Sequence, residues 1–412
     1  MAGRKEDFPI KPLLAGLAIL TSSVLTTAWD TQQQTLDEFI LEKMKASSIP
    51  GVSACIVKKD KLVWSGAFGW ADVENKKPRT EETIQNIGSI SKTITATAAM
   101  QLFEQGKFKL DDDVNSYLPF PVRNPRFPDD PMTFRQLLTH KSSIKDGPAY
   151  QKSYACGDPI VSLKDWLKGY LVPGGKYYDQ GENFHAWKPG TIEIPPGPRA
   201  YTNVGFGLLG YLVEVISGQD FAEYCKKNIF IPLGLKSTGW YLADIKVSHH
   251  AIPYTLISEQ FKMPDGMTLD DFLPRYGKDR QTTKAGELFP HCLYSFFNYP
   301  DGLVRTSVQD LSRFLRAYIN DGVFENSRIL KKETVRMMFS KEHFGRGLCW
   351  FDMKLKNGDP AWGHGGGDPG ISTQMIFRPQ DGAGVILFFN TDSPGKVYGE
   401  IQERLFEEAA KF

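Results

Sequence analysis

The sequence lacks an excess of charge of either sign. It contains 49 lysine and arginine residues against 48 aspartate and glutamate residues, so the 412-residue chain has a formal net charge of +1. Proteins that attract nucleic acid or an anionic membrane surface through long-range electrostatics carry a marked basic excess. We therefore expect no nucleic-acid partner and a small-molecule substrate.

Cysteine is also scarce, and metal and cofactor signatures are missing. An odd number of widely separated cysteines predicts neither a disulfide framework nor a zinc site, so we expect buried free thiols. The five are Cys55, Cys156, Cys225, Cys292 and Cys349. No His-Glu-x-x-His motif occurs, and the two Gly-x-Gly-x-x-Gly matches, which begin at Gly205 and Gly365, lack the strand, loop and helix order of a dinucleotide site. We expect no metal and no other cofactor.

Long apolar runs are absent, and the N-terminal stretch comes nearest to one. Arg4 and Lys5 precede "PLLAGLAILTSSVLTTA", an order typical of a signal peptide. The stretch is short and polar for a membrane-spanning helix. We interpret residues 1–30 as a leader, which could be a signal peptide, a membrane anchor or a disordered extension. This favours secretion or membrane association through residues 1–28, and membrane association only if the segment is retained.

Strand patterns occur near both ends of the remaining chain. "GVSACIVKKDKLVWSGAFGWA" (51–71) predicts two strands around a turn, and the last seventy residues contain three further apolar β runs before a final helix. Because the turns between these runs are short, antiparallel pairing is favoured. We therefore predict an α+β fold with a central antiparallel sheet that is built from both chain ends and flanked by helices.

The middle of the chain is predicted to be mostly helical. Within a single catalytic domain at 31–412, we assign the α/β part to about 31–110 and 300–412, and a helical subdomain to about 111–299. Residues 162–188 look like an insertion with little periodicity. The sequence makes no prediction about the oligomeric state.

"NIGSISKTITATAAM" (86–100) places a lysine one helical turn after a serine, at the start of an apolar helix. Residues i and i+3 share a helix face, so Ser89 and Lys92 can touch. A serine hydroxyl becomes a nucleophile when a neighbour takes its proton, and a lysine can do this when its pKa is lowered. The alternative is a helix-capping serine beside an outward-pointing lysine.

Two other serines have a lysine three residues later, Ser142 with Lys145 and Ser393 with Lys396. Both are followed by turn-forming residues, "KDGP" and "PG", so no helix sets their geometry. The Gly-x-Ser-x-Gly nucleophile elbow is absent. Ser89 is therefore the candidate nucleophile.

Two further segments carry residues of the right chemistry. "PPGPRAYTNVGFGLLG" places Tyr201 and Asn203 just before a helix, where a phenol can move a proton and an amide can hold a carbonyl. "AWGHGGGDPGISTQMIF" places His364 before three glycines at a β run, whose backbone N–H groups can stabilise an oxyanion. A turn tyrosine, an asparagine cap and a glycine-rich hairpin with an incidental histidine are the alternatives.

These three segments, in this order, resemble the serine β-lactamase and penicillin-binding-protein superfamily. The resemblance is to its class C-like branch, which includes family VIII esterases, D-aminopeptidases and the vertebrate mitochondrial serine β-lactamase-like protein. It extends over residues 35–410. "MTFRQLLTHKSSI", "IFIPLGLKSTGW" and "YPDGLVRTSVQDLSRFL" also resemble segments of that branch, although Lys141 and Ser143 depart from its Leu-Leu-Thr-His-Thr-Ser-Gly stretch.

The resemblance implies roles for the catalytic residues. Ser89 would be the acylated nucleophile and Lys92 its base or polariser, and Tyr201 would shuttle protons and activate the deacylating water. Asn203 would orient the substrate carbonyl or amide. The backbone N–H groups of Ser89 and Gly367 would form the oxyanion hole.

His364 departs from the family pattern. It stands where lactamases and transpeptidases carry the lysine of Lys-Thr-Gly, and together with Gly365, Gly366 and Gly367 it would line the substrate site. A lysine there would pair with a substrate carboxylate, whereas histidine is mostly neutral at pH 7. The departure favours esters over β-lactams, and no carboxylate base for deacylation can be assigned.

The leading hypothesis is therefore a serine hydrolase that forms an acyl-enzyme on Ser89. It would be an esterase, a transesterase or a β-lactamase-like amidase acting on a small ester, lactam or short peptide. A D-amino-acid peptidase or carboxypeptidase is one alternative. A self-assembling structural protein with weak protease-like activity is an alternative of another class, by analogy with the mitochondrial relative.

Overall fold

The computed structural model describes residues 34–191, 201–257, 283–342 and 346–412. The predicted leader, residues 1–30, lies outside these ranges. In the described part of the chain, no helix combines the length and the apolar character that crossing a bilayer requires.

The helices of the described residues occur at both ends and through the middle of the chain. A 3-10 turn, Gly88–Ile90, leads directly into the second of them. In chain order the helices are α1 (Leu36–Ala46), α2 (Ser91–Glu104), α3 (Phe134–Leu138), α4 (Pro148–Gln151), α5 (Leu163–Leu171), α6 (Gln180–Asn183), α7 (Val204–Ser217), α8 (Phe221–Cys225), α9 (Val308–Ile319), α10 (Lys332–Met338) and α11 (Val397–Ala409).

The strands are, in chain order, β1 (Gly51–Lys58), β2 (Lys61–Asp72), β3 (Lys77–Pro78), β4 (Gln85–Asn86), β5 (Ala155–Cys156), β6 (Tyr254–Leu256), β7 (Leu288–Pro290), β8 (Tyr294–Ser295), β9 (Arg305–Thr306), β10 (Val323–Phe324), β11 (Ser327–Arg328), β12 (Phe351–Lys354), β13 (Pro360–Asp368), β14 (Ile371–Arg378) and β15 (Ala383–Phe389). Seven of them form one antiparallel sheet in the order β12-β13-β14-β15-β1-β2-β3. The two chain ends meet where β1 pairs with β15, with Val52 opposite Phe389. The predicted sheet and fold class are confirmed.

Alternation along β1 explains the layers on either side of the sheet. Val52, Ala54 and Ile56 belong to one buried cluster, with apolar residues of α1 and α11. Cys55 and Val57 belong to the other cluster, with residues of α2 and α9. Since successive side chains of a strand point to opposite faces, a continuous apolar strand of this kind must be covered on both.

The middle of the chain is more regular than the sequence analysis predicted. Residues 162–188 were expected to be an insertion with little periodicity, but they contain α5 and α6. The buried residues of α5 recur at intervals of three and four, the pattern of an amphipathic helix. They are Leu163, Trp166, Leu167, Tyr170 and Leu171.

The expectation of free thiols was wrong for two of the five cysteines. Cys156 and Cys292 form a disulfide, with 5.8 Å between their Cα atoms. They are 136 residues apart, and the pairing of β5 with β8 brings them together. Such a long-range contact leaves no trace in cysteine spacing. The remaining three, Cys55, Cys225 and Cys349, are free and buried as expected.

Candidate active site

Ser89 lies in the 3-10 turn that leads into α2, against the end of β13. The preceding residue, Gly88, has a φ of +54°, which favours glycine. Its amide donates to Oδ1 of Asn86 at 2.9 Å. A β-carbon on Gly88 would lie 3.0 Å from the amide nitrogen of Gly367. Glycine therefore allows the nucleophile turn to pack closely on the strand that was predicted to supply an oxyanion donor.

Lys92 extends from the first turn of α2 into a fully buried position beside the serine. Its Nζ donates to Oγ of Ser89 at 3.0 Å, to Oδ1 of Asn203 at 2.7 Å and to the backbone carbonyl of Asp301 at 2.8 Å. The side chain has no exposed surface. The alternative of a helix cap beside an outward-pointing lysine is thus inconsistent with the geometry.

Asp301 is a residue of the site that the sequence analysis missed. Its Oδ2 lies 3.4 Å from Nζ of Lys92 and accepts a hydrogen bond from the hydroxyl of Tyr150 at 2.9 Å. Its Oδ1 accepts from Nδ2 of Asn298 at 3.0 Å. One signal in the sequence could have revealed this residue. In "YPDGLVRT", Asp301 stands where the family's Gly-Gly-Leu-x-Ser-Thr segment has its first glycine.

The charge of Lys92 depends on this carboxylate. Burial alone would lower the pKa of Lys92, but the neighbouring Tyr201 and Asp301 outweigh burial and raise it. For Asp301, burial raises the pKa and Lys92 opposes the rise. Because Nζ also donates to three further oxygens, we take the pair to be an ammonium and a carboxylate at neutral pH.

Asn203 is held at the start of α7 by a second carboxylate, that of the partly buried Asp146. Both oxygens of Asp146 accept from the amide of Asn203 at 2.9 Å, and Oδ1 accepts from the amide of Val204 at 3.0 Å. The carboxylate thereby satisfies N–H groups at the helix N-terminus. Burial raises the pKa of Asp146 to about 6, although these hydrogen bonds and the charge of Lys92 act to lower it. The capping fixes the asparagine amide that accepts from Lys92.

Tyr201 lies over the lysine with its hydroxyl buried. Nζ of Lys92 is 5.0 Å from the centroid of its ring, and the ring of His140 stacks on it at 4.1 Å. Burial raises the pKa of Tyr201, and the proximity of Lys92 and Ser89 opposes the rise. No contact of the hydroxyl within the described residues has full hydrogen-bond geometry. The phenol is therefore next to Ser89 and Lys92, and no described residue uses its hydrogen-bonding capacity.

His364 lies on β13 and is buried, with 2% of its surface exposed. Its Nδ1 is 2.6 Å from the carbonyl oxygen of Gly365, and its Nε2 has no partner among the described residues. Burial lowers the pKa of His364 to about 3, so the imidazole is neutral. Its ring is 4.9 Å from that of Phe351, which in turn lies 6.5 Å from that of Tyr201. His364 joins the site through this aromatic contact.

The glycines after His364 form the edge of the site. A β-carbon on Gly366 would lie 2.1 Å from the carbonyl oxygen of Ile87, whereas one on Gly367 would meet no atom within 4 Å. The absence of a side chain at Gly366 therefore permits close packing on the turn that contains Ser89. Gly367 leaves open space where a substrate can approach. Gly365 accepts the contact from His364 through its carbonyl.

The two other serine and lysine matches do not form pairs. Nζ of Lys145 contacts Glu182 at 2.9 Å, and the hydroxyl of Ser142 accepts from the amide of Ile144 at 3.4 Å. The hydroxyl of Ser393 donates to Oδ1 of Asp392 at 3.0 Å. Among the residues that the structure describes, no group of three or more His, Cys, Asp or Glu side chains is arranged to hold a metal ion.

An antiparallel sheet flanked by helices, with these serine, tyrosine and histidine segments at its edge, defines the β-lactamase and penicillin-binding-protein class of serine hydrolases. The Beta-lactamase family model matches residues 36–410, and the chain belongs to this family. The resemblance that the three sequence segments predicted is thus confirmed.

The individual relatives are distant. Penicillin-binding protein 4* of Bacillus subtilis (strain 168) is 26% identical over 329 residues, which cover 76% of this chain and 62% of the relative. The chain therefore spans less than two thirds of that relative's length.

Solved structures agree with the fold. An octameric penicillin-binding protein homologue from Pyrococcus abyssi has a TM-score of 0.65 and 26% identity, with 90% of this chain and 76% of that chain covered. D-amino acid amidase from Ochrobactrum anthropi SV3 has a TM-score of 0.67 and 21% identity, with 92% and 99% covered. At 21% identity the amidase supports the fold alone.

Proposed function

We propose that this chain is a serine hydrolase of small esters and amides that works through an acyl-enzyme on Ser89. The observation that carries the proposal is the 3.0 Å contact between Oγ of Ser89 and Nζ of a lysine that is completely buried. A buried, fully hydrogen-bonded lysine beside a helix-initiating serine is costly to maintain as a structural feature. It is well suited to the activation of a nucleophile.

The charge state of Lys92 favours a polarising role over that of a neutral base. With Asp301 as its counter-ion, the ammonium stabilises negative charge that develops on Oγ of Ser89. Tyr201 then acts as the proton shuttle. As Oγ attacks the carbonyl carbon, its proton passes to the oxygen of Tyr201, and the phenol's own proton passes to the leaving group. The backbone N–H groups of Ser89 and Gly367 hold the oxyanion.

Deacylation follows the same route in reverse. A water molecule takes the place of the leaving group, loses a proton to Tyr201 and attacks the acyl carbonyl, and the proton on the phenol returns to Oγ of Ser89. Asn203, fixed by Asp146 and Lys92, is placed to hold a polar group of the substrate.

The neutral state of His364 supports esters and simple amides over β-lactams. A lysine ammonium at this position would attract the carboxylate of a β-lactam, whereas a buried neutral imidazole has no charge to offer. Ester hydrolysis needs no such contact. The preference therefore follows from an absent charge at the site and not from its overall shape.

The test compares p-nitrophenyl butyrate with nitrocefin for the wild type and for Ser89→Ala, and reads the intact mass of the protein after brief exposure to the ester. We expect ester turnover that Ser89→Ala abolishes, little nitrocefin cleavage, and a butyryl adduct on the wild type only. Ser142→Ala serves as the control, because Ser142 is a buried serine that does not pair with the lysine three residues later. Equal turnover by Ser89→Ala would refute the proposal, and rapid nitrocefin cleavage would restore a β-lactamase.

A further inference from the structure

Asp368 ends β13 one residue beyond Gly367, at the open edge of the site. Its Oδ1 accepts a hydrogen bond from the hydroxyl of Tyr154 at 2.8 Å, and its Oδ2 lies 3.5 Å from Nδ2 of Asn86. The same Asn86 accepts from the amide of Gly88, next to the nucleophile. The carboxyl group is therefore tied to the nucleophile turn itself.

This carboxyl group has no cationic partner in the described part of the chain. Its two polar contacts are a phenol and an amide, and the nearby ammonium of Lys92 is already paired with Asp301. Burial raises the pKa of Asp368 to about 8, and the charge of Asp301 adds to the rise, so the group is mostly protonated at pH 7 until a cation approaches and favours its ionised form. A partly buried carboxylate in such surroundings is stabilised by any cation that reaches it.

The position of Asp368 relative to the proton shuttle decides which part of a substrate it faces. Tyr201 is packed against the aromatic ring of Phe351 on one side of Ser89. The ring of Tyr154, the partner of Asp368, packs instead on that of Tyr150, with 6.1 Å between centroids.

The leaving group must point toward Tyr201, since the phenol supplies its proton. A carbonyl bound between Ser89 and Gly367 then directs its acyl substituent along β13. The first side chain beyond the oxyanion donor on that strand is Asp368. In that orientation, Asp368 would be the first side chain that the substituent on the acyl carbon meets.

We propose that Asp368 binds a protonated amino group on the acyl part of the substrate, so that the preferred substrates are α-aminoacyl esters and amides. Tyr154 occupies Oδ1 and orients the carboxylate, which leaves Oδ2, with its single long contact to Asn86, to accept from the ammonium group. Charge-assisted hydrogen bonds of this kind are shorter and stronger than neutral ones. This inference rests on the proposed function, because it requires acylation of Ser89.

The test uses two esters of nearly the same shape. Alanine methyl ester, in both enantiomers, carries an ammonium group where methyl 2-methylpropanoate carries a methyl group. Their kcat/KM values are measured by titrating the released acid at about pH 7, where much of the α-amino group is protonated. The proteins compared are the wild type, Asp368→Asn, Tyr154→Phe, and the control Asp129→Asn, which alters an exposed loop aspartate.

We expect wild type to favour one enantiomer of the alanine ester over the uncharged ester by about tenfold or more, the value of one charge-assisted hydrogen bond. The ratio should fall about tenfold or more in Asp368→Asn, fall partly in Tyr154→Phe, and stay at the wild-type value in Asp129→Asn. A wild-type ratio near one, or an unchanged ratio in Asp368→Asn, would overturn the inference. In that case Ser89-dependent turnover of the uncharged ester would leave the proposed function standing, whereas no Ser89-dependent turnover of either ester would overturn both.

Discussion

Lys92 and Asp301 form a buried ion pair, with 3.4 Å between Nζ and Oδ2 and only 0% and 3% of the two side chains exposed. A charge removed from water in this way is costly unless it is paired and fully hydrogen-bonded. Here the ammonium also donates to Ser89 and Asn203, and the carboxylate accepts from Tyr150 and Asn298. The pair connects Lys92 on α2, which contacts Ser89, with the segment before β9.

Asp301→Asn should leave Lys92 less strongly protonated. Because the carboxylate favours the charged form of the lysine, its loss lowers the pKa of Lys92. If the ammonium polarises Ser89, the alkaline limb of the kcat/KM profile moves to lower pH by about one unit or more, and the maximal rate falls about tenfold or more. Ester turnover measured across the pH range checks both.

Asp310→Asn is the matched control for this variant. Asp310 is also a buried carboxylate, but it accepts from the amide of Ser237 and the hydroxyl of Thr238, far along the chain from the nucleophile. A loss of stability alone would affect both variants and leave the pH profile unmoved. An alkaline limb that stays in place in Asp301→Asn would contradict the role assigned to the ion pair.

Tyr201→Phe should slow turnover at least about tenfold while the protein stays folded, since only the hydroxyl that moves the proton is lost. Rapid mixing with p-nitrophenyl butyrate separates the burst of acylation from the steady state, and both phases should slow. Tyr211→Phe provides the comparison. Tyr211 is a buried tyrosine of α7, and its ring stacks on that of Phe120. Wild-type kinetics in Tyr201→Phe would remove the phenol from the mechanism.

The parts of the site that the sequence predicted are those governed by local geometry. The spacing of Ser89 and Lys92 on one helical turn, and the alternation along the strands, depend on residues a few positions apart. The residues that were missed act over long distances. Asp301 is 209 residues from the lysine it pairs with. Only the packing of the helices brings such groups together, and an isolated aspartate in a sequence does not reveal it.

The disulfide is another long-range contact that the sequence did not reveal, and it leads to a further prediction. Alkylation of the denatured, unreduced protein should label three thiols, because Cys156 and Cys292 are paired. Reduction should lower the free energy of unfolding by about 2–5 kcal/mol, as expected for a bridge that closes a long loop. Urea unfolding with and without reductant measures the change.

The variant with both Cys156→Ser and Cys292→Ser provides the control. It should have the stability of the reduced wild type and should not respond to reductant. Five labelled thiols in the unreduced wild type would contradict the bridge. Bonds of this kind persist mainly in oxidising compartments.

The buried imidazole of His364 predicts the direction in which acid destabilises the protein. Burial lowers its pKa to about 3, whereas an unfolded histidine titrates near about 6.5. The folded state therefore binds this proton less readily than the unfolded state does. The stability that the neutral imidazole contributes is complete above about pH 6.5 and is lost as the pH falls through that value toward about 3.

His364→Gln should therefore weaken the acid dependence of unfolding. Between about pH 7 and pH 4.5 the wild type should lose about 2–3 kcal/mol more than the variant, since two pH units at 1.36 kcal/mol each lie between the unfolded pKa and the lower pH. Urea unfolding across this range measures the difference. Parallel slopes for wild type and His364→Gln would show that the imidazole is accessible to protons in the folded state, and the argument that a neutral residue disfavours β-lactam carboxylates would then fail as well.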